Sequence, residues 1–232
     1  MKPHLSVLVP LRERITLFDH MIQTLVSTAA EPSGVEIIVR CDEDDEVTQT
    51  YLRHRAITWR AQVCESAFVV GPRYRGYATL GTFINEAARL SRADLLLVVN
   101  DDVEFQTPGW DARLVSVAQR YPDGIFDLAV DTVLNNANCV FPCQSRRQMQ
   151  LLGCFYDERV IYPDIWLRDV LQPFDRVIRV PEVVIQHCWK GQSPDQQGAA
   201  KIAGTAEHQK LYARCVEEGR AAIRRVLVEV AA

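Results

Sequence analysis

The sequence predicts an α/β fold in one domain, a mainly parallel sheet flanked by helices with a C-terminal helical tail. Four short apolar runs alternate with helix-periodic segments over the first hundred or so residues. The runs end in polar or acidic residues, which right-handed crossovers gather along one edge of such a sheet. No repeat, low-complexity stretch or linker interrupts the 232 residues.

Leu5 to Pro10, LSVLVP, is an apolar run closed by proline and reads as a buried strand. After the charged turn Arg12-Glu13-Arg14, Thr16 stands where a helix cap belongs. Leu17, Met21 and Leu25, with Phe18 and Ile22 beside them, then recur at helical spacing. Pro32-Ser33-Gly34 breaks that helix, and Val35 to Val39 is a second strand. The acidic cluster Asp42 to Glu46 follows, with a helix running on through Tyr51 and Leu52. Val63 to Val70 is a third strand, stopped by Gly71-Pro72. The loop Gly71 to Gly76 carries Arg73 and Arg75 and leads into a helix whose apolar face holds Leu80, Ile84, Ala87 and Ala88. Asp94 to Val99, DLLLVV, is the most apolar strand and ends abruptly at Asn100-Asp101-Asp102.

The second half is less regular. Helices are expected over Pro108 to Arg120, Gln144 to Leu152 and Asp164 to Leu171. Strands are expected over Phe126 to Thr132, Val177 to Val180 and Val183 to His187, the last two split by Pro181-Glu182. Asn135 to Asn138 signals a turn and Gly191 to Gly198 a mobile loop. Ala203 to Val230 reads as one or two helices, where Arg214, Arg220, Arg224 and Arg225 alternate with glutamates as a solvated face.

Composition narrows the function. Hydrophobic residues at 48% and charged residues at 24% fit a globular protein with a real core. A net charge of −4 lacks the basic excess of a nucleic-acid binder. Seven cysteines, an odd count without a CxxC pair, read as reduced thiols rather than a zinc site or a disulfide framework. No signal peptide opens the chain and no apolar run approaches the ~20 residues of a membrane span, so a soluble, cytoplasmic protein is expected. The absence of GxGxxG after the first strand and of GxxxxGK[ST] argues against a dinucleotide-binding dehydrogenase and a P-loop NTPase.

Asn100-Asp101-Asp102 leaves the end of a buried strand, and residues i and i+2 there can face the same way. Carboxylates in that place suit a hard cation, Mg²⁺ or Mn²⁺, that neutralises a departing diphosphate. The same residues also read as an acidic turn that ends the strand. Asp42, at the end of the second strand, is placed either to accept hydrogen bonds from a nucleobase or ribose or to cap a helix. The Gly71 to Gly76 loop reads as a phosphate holder through Arg73 or Arg75, or as a plain basic turn.

In order and spacing these residues resemble the inverting, family 2-like glycosyltransferases of the GT-A fold, a Rossmann-like architecture, over residues 3 to 191. The family's opening strand of the type VSVIIPxYNR is matched by LSVLVPLRER, which places Pro10 and Arg12 at the donor. IIVRCDEDD matches its nucleobase-binding strand end, with Asp42, and Gly76 to Ala88 its donor-side helix, with Asn85. VVNDDVEF matches the DxD motif. Asn100 replaces the first aspartate, Asp101 can compensate in part, and Asp102 becomes the metal ligand. GCFYDERVIYPDIWLR matches the stretch that carries the catalytic base, which makes Asp164 the base and Asp157 its competitor, with Pro163 in place of the usual Glu.

In VVIQHCWKG, His187 matches a late histidine that completes the metal shell, and Lys190 falls beside the leaving diphosphate. A lone histidine in an apolar run would otherwise read as a core residue. The loop from Gly191 is then expected to order over bound donor. The resemblance implies Mn²⁺ or Mg²⁺ as cofactor, a nucleotide-sugar donor with a UDP-sugar favoured, and an acceptor hydroxyl of unread identity. It divides the chain into a nucleotide-binding half (1–102), an acceptor half (103–191) and a loop with a C-terminal helix (192–232). Two rivals keep the scaffold. A nucleotidyltransferase usually has a glycine-rich loop where LRER stands. A non-catalytic nucleotide-sugar-binding module would accommodate Asn100 and Pro163.

Overall fold

The computed structural model describes residues 2–59, 63, 65–73, 76–131, 140–188 and 194–231. Period-two alternation in the first strand, β1 (Leu5–Leu11), sets two apolar layers. Leu5, Val7, Val9 and Leu11 enter one cluster and Leu8 the other. Helix α1 (Ile15–Thr28) lays Phe18, Met21, Ile22 and Leu25 against the first layer. Burying side chains of this size stabilises by about 1.5–3 kcal/mol each. Thr16 does not cap α1. Arg14 holds the cap position without a side-chain capping bond. The chain is guided into the helix by Asp45 and Thr48, whose side chains accept the Glu13 amide at 2.9 and 3.0 Å.

The predicted alternation continues through β2 (Val35–Asp42), α2 (Glu46–Trp59), β3 (Glu65–Gly71), α3 (Leu80–Leu90) and β4 (Leu95–Val98). Strands β3, β2, β1 and β4 lie side by side and parallel. The second half adds β5 (Val103–Phe105), α4 (Trp110–Ala118), β6 (Asp127–Asp131), β7 (Pro142–Ser145), α5 (Arg146–Leu152), α6 (Pro163–Leu171), β8 (Val177–His187), α7 (Pro194–Ala203) and α8 (Ala206–Ala231). The full sheet runs β3-β2-β1-β4-β7-β6-β8-β5. Its second half is mixed: β7 is antiparallel to β4 and β6, and β5 is antiparallel to β8.

Several expectations for this half change. The helix expected from Gln144 starts at Arg146, because Pro142–Ser145 pairs as a strand and Ser145 caps the helix, accepting the Gln148 amide at 2.9 Å. The two late strands are one. Pro181-Glu182 sits where the register with β6 jumps from Val130↔Val180 to Asp131↔Val184. A bulge is where a strand tolerates a residue without an N–H. Pro194 onward is helix α7 rather than loop, while residues 191–193 and the turn Asn135–Asn138 lie outside the described residues.

Helices α3, α6 and α8 cover the second layer with Ile84, Ala87, Trp166, Leu167, Val170 and Ile223. Gly219 lets α8 approach α6 closely, since a Cβ there would stand 2.7 Å from Val170. The described cysteines Cys41, Cys143, Cys154, Cys188 and Cys215 are free; Cys188 is exposed. Among the described residues, no helix is long and apolar enough to cross a membrane.

Candidate functional site

Parallel pairing in register brings three strand ends to one rim. Leu11 lies opposite Cys41 and Leu8 opposite Val98, and the Val99 amide donates to the Leu8 carbonyl at 3.1 Å. The turns leaving those ends carry Arg12 to Arg14, Asp42 to Asp45 and Asn100 to Asp102. Histidine 187 reaches the same rim by a different route. The β5–β8 pairing sets His187 opposite Val103, and the Cys188 amide donates to the Asp102 carbonyl at 2.8 Å.

His187 Nε2 therefore stands 2.9 Å from Asp102 Oδ1 and 3.4 Å from Asn100 Nδ2. Asp101 and Asp102 are each only 2% exposed. Arg14 binds both. Its Nε donates to Asp101 Oδ2 at 2.9 Å, a terminal nitrogen pairs with Asp101 Oδ1, and the other donates to Asp102 Oδ2 at 2.8 Å. Burial pushes the Asp101 carboxyl up to about 6 against the pull of Arg14. For Asp102, burial is outweighed by His187 and Arg14, which hold its pKa below the ordinary value. In the sequence Arg14 is one of three charged residues of a turn. The signal available was an arginine directly after the first strand, in a chain whose fourth strand ends in uncompensated acids.

The residues present fit a divalent cation. Two cis ligands at about 2.1 Å from an octahedral ion lie about 3.0 Å apart, and the oxygen–nitrogen separation of Asp102 and His187 is 2.9 Å. The carboxylate suits Mg²⁺ and Mn²⁺ alike, while the imidazole is better matched to Mn²⁺ than to the harder Mg²⁺.

A second charged group surrounds Asp42. Arg12 reaches Asp42 Oδ2 at 3.0 Å and Asp44 at 2.5 and 3.2 Å, and Arg73 reaches Asp44 at 3.3 Å. The hydrogen bond from Arg12 pulls Asp44 below the ordinary carboxylate value. Arg40, buried in β2, pairs with Asp42 Oδ1 from beneath, donates to Glu86 at 2.9 Å and to the Pro72 carbonyl at 2.6 Å, and stacks over Phe83. Pro10, half-buried, sits opposite Arg40 in the β1–β2 register. Arg75 and Lys190 lie outside the described residues.

Asn85 is buried with both ends of its amide committed. Its oxygen accepts from the Phe155 and Tyr156 amides at 2.8 and 3.1 Å, and its nitrogen donates to the Tyr156 carbonyl and to Glu158, each at 2.8 Å. These bonds hold the 155–158 turn.

The two candidate bases differ sharply. Asp157 accepts from Arg159 at 2.8 and 2.6 Å, and although burial raises its pKa, these bonds bring it below the ordinary value. Asp164, in the first turn of α6 after Pro163, has Oδ1 enclosed with no hydrogen-bond partner among the described residues. Burial pushes its pKa up to about 6. Tyr77 and Tyr162 meet edge to face beside it, 5.9 Å between ring centres, and the Asp164 charge adds to the burial that raises the Tyr77 pKa. Asp157, Cys215 and Glu218 cluster closely enough to share an ion, but Arg159 already bridges the two acids.

A parallel β1–β4 half, a return through β5 and β8, and acids at the rim define the GT-A fold. No protein-family model matches the chain, and no curated protein matches it in sequence. Solved structures match it throughout. The mannosyltransferase PcManGT from Pyrobaculum calidifontis, in complex with GDP-Man and Mn²⁺, superposes with a TM-score of 0.67 at 14% identity, over 100% of this chain and 76% of that one. S. aureus TarS 1-349 in complex with UDP gives 0.62 at 12%, over 94% and 70%. GalNAc-T7 with UDP, GalNAc and Mn²⁺ gives 0.61 at 12%, over 86% and 48%. At these identities the shared property is the fold.

Proposed function

We propose that the chain is a glycosyltransferase that moves a sugar from a nucleotide donor to an acceptor hydroxyl, with inversion and with Mn²⁺ or Mg²⁺. The observation that carries this reading is the 2.9 Å approach of His187 to Asp102 at the end of β4. The bound ions and nucleotides of PcManGT and GalNAc-T7 support it by likeness of fold.

Asp102 and His187 would hold the cation, with Asn100 beside them, and a cation bound there would supply the positive charge that a leaving diphosphate needs. Asp42, oriented by Arg12 and Arg40, accepts from the nucleoside, uridine being favoured. Arg73, Arg75 and Lys190 are assigned to the phosphates, and Pro10 lines the donor side. Residues 1–102 form the donor half, 103–191 the acceptor half, and 192–232 a closing segment and helix. Asp164 takes the proton of the acceptor hydroxyl as that oxygen attacks the anomeric carbon from the face opposite the diphosphate.

A panel of nucleotide sugars with Mn²⁺, followed by nucleoside diphosphate release, tests the reaction. Release with at least one donor, abolished by Asp102→Ala, is the expected result. Pyrophosphate release instead would make the protein a nucleotidyltransferase.

A further inference from the structure

Arg14 has no part in the roles assigned above, yet it occupies the centre of the rim. All three guanidinium nitrogens bond the carboxylates of Asp101 and Asp102. Asp102 divides its oxygens: Oδ2 faces Arg14 and Oδ1 faces His187. A cation at the His187 side therefore leaves the Arg14 bonds intact.

Exposure points the same way. The Arg14 side chain is 42% exposed, against 3% for Asp101 and 2% for Asp102. Of these three side chains, Arg14 is the one open to solvent. Two carboxylates and one guanidinium leave a single net negative charge, and Asn100 adds none where the family pattern has an aspartate. Such a pocket attracts a free divalent ion weakly, while the three bonds to the acids leave two of the five guanidinium N–H donors for phosphate oxygens.

We propose that Arg14 is a second, built-in cation of the donor site: it binds the diphosphate of the donor next to the Asp102–His187 metal position and weakens the hold of the site on free metal. The proposal rests on the donor-site reading given above. It makes metal and nucleotide arrive together, because each supplies charge that the other lacks.

Isothermal titration of the full chain tests it with two probes, Mn²⁺ alone and UDP or GDP in EDTA. Arg14→Gln should bind free Mn²⁺ about tenfold more tightly than the parent, since a positive charge near the ion is gone. The same variant should bind metal-free nucleotide about tenfold more weakly, and Arg14→Lys should fall between. Arg14→Gln leaves Asp101 buried and unpaired, so the neutral double variant Arg14→Gln/Asp101→Asn guards against misfolding. It keeps the net charge, and should lose metal-free nucleotide binding while holding Mn²⁺ near the parent affinity. Equal Mn²⁺ affinity in parent and Arg14→Gln, or equal metal-free nucleotide affinity, overturns the proposal. If nucleotide with Mn²⁺ still binds the parent in that case, only the role of Arg14 has failed. Nucleotide binding by none of the proteins, with or without metal, overturns the donor-site reading as well.

Discussion

His187 and Asp102 meet at 2.9 Å across a sequence separation of 85 residues. The antiparallel pairing of β5 with β8 produces the contact, since it sets Val103 opposite His187 and so places the imidazole beside the preceding aspartate. Neither residue alone distinguishes a metal ligand from a core histidine or an acidic turn. Their convergence at the rim of the parallel strands gives the proposed donor site its centre.

That convergence makes the two side chains interdependent in nucleotide binding. Asp102→Asn and His187→Ala should each weaken UDP or GDP binding in Mn²⁺ by about tenfold to a hundredfold, and the double variant should lose little more than either single change. Titration calorimetry with and without EDTA checks this. Full additivity of the two losses would show that the residues do not share an ion.

Arg40 should prove essential to stability. Its side chain is 2% exposed, and its guanidinium is bonded to Asp42, Glu86 and the Pro72 carbonyl. Arg40→Met strips both acids of their buried cation and should destabilise the fold by about 3–5 kcal/mol in urea denaturation. Arg40→Lys should recover only part, because an ammonium lacks the fork that spans the two acids. A loss under about 1 kcal/mol for Arg40→Met would mean that Asp42 is positioned by Arg12 instead.

Asn85 offers a contrast between two readings of one residue. The family resemblance puts it beside the donor, while its amide is fully engaged with Phe155, Tyr156 and Glu158. Asn85→Ala leaves two buried amides and a carbonyl without partners. It should cost about 2–4 kcal/mol of stability with donor affinity of the folded fraction unchanged. A selective loss of nucleotide affinity at parental stability would restore the donor-side role.

The legible part of the fold was the part governed by local pattern. β1 through β4 are apolar runs long enough to show their period, and their acidic ends were readable because parallel strands share an edge. β5 has no legible signal because three residues carry no period, and β7 has none because it opens on Pro142. The split of β8 at Pro181 followed from treating proline as a breaker, whereas a bulge accommodates it. The meeting of Asp102 and His187 at one rim was legible through the order of motifs. Arg14 was not, since a charged turn after a strand is ordinary until the acids opposite it are known.

Asp164 should trade stability for reactivity. Its pKa is raised from 3.8 to about 6 by burial, with one oxygen unpartnered among the described residues. The folded protein thus holds this proton more tightly than the unfolded chain. The carboxyl favours folding most below its unfolded value, and that contribution is lost as the pH rises from 3.8 to about 6. Above that window the buried charge is a standing penalty of roughly 2–3 kcal/mol. Asp164→Asn removes the penalty, so its unfolding free energy at pH 8 should exceed that of the parent, and the difference should vanish near pH 4. The same variant should lose about 10²–10⁴-fold in kcat with donor KM unchanged. The parent rate should rise with pH through an apparent pKa near 6 as the base becomes ionised. A variant that is both active and no more stable would remove Asp164 from the reaction and pass the base role to another group. A variant that is inactive yet no more stable would keep the role but deny that burial sets its pKa.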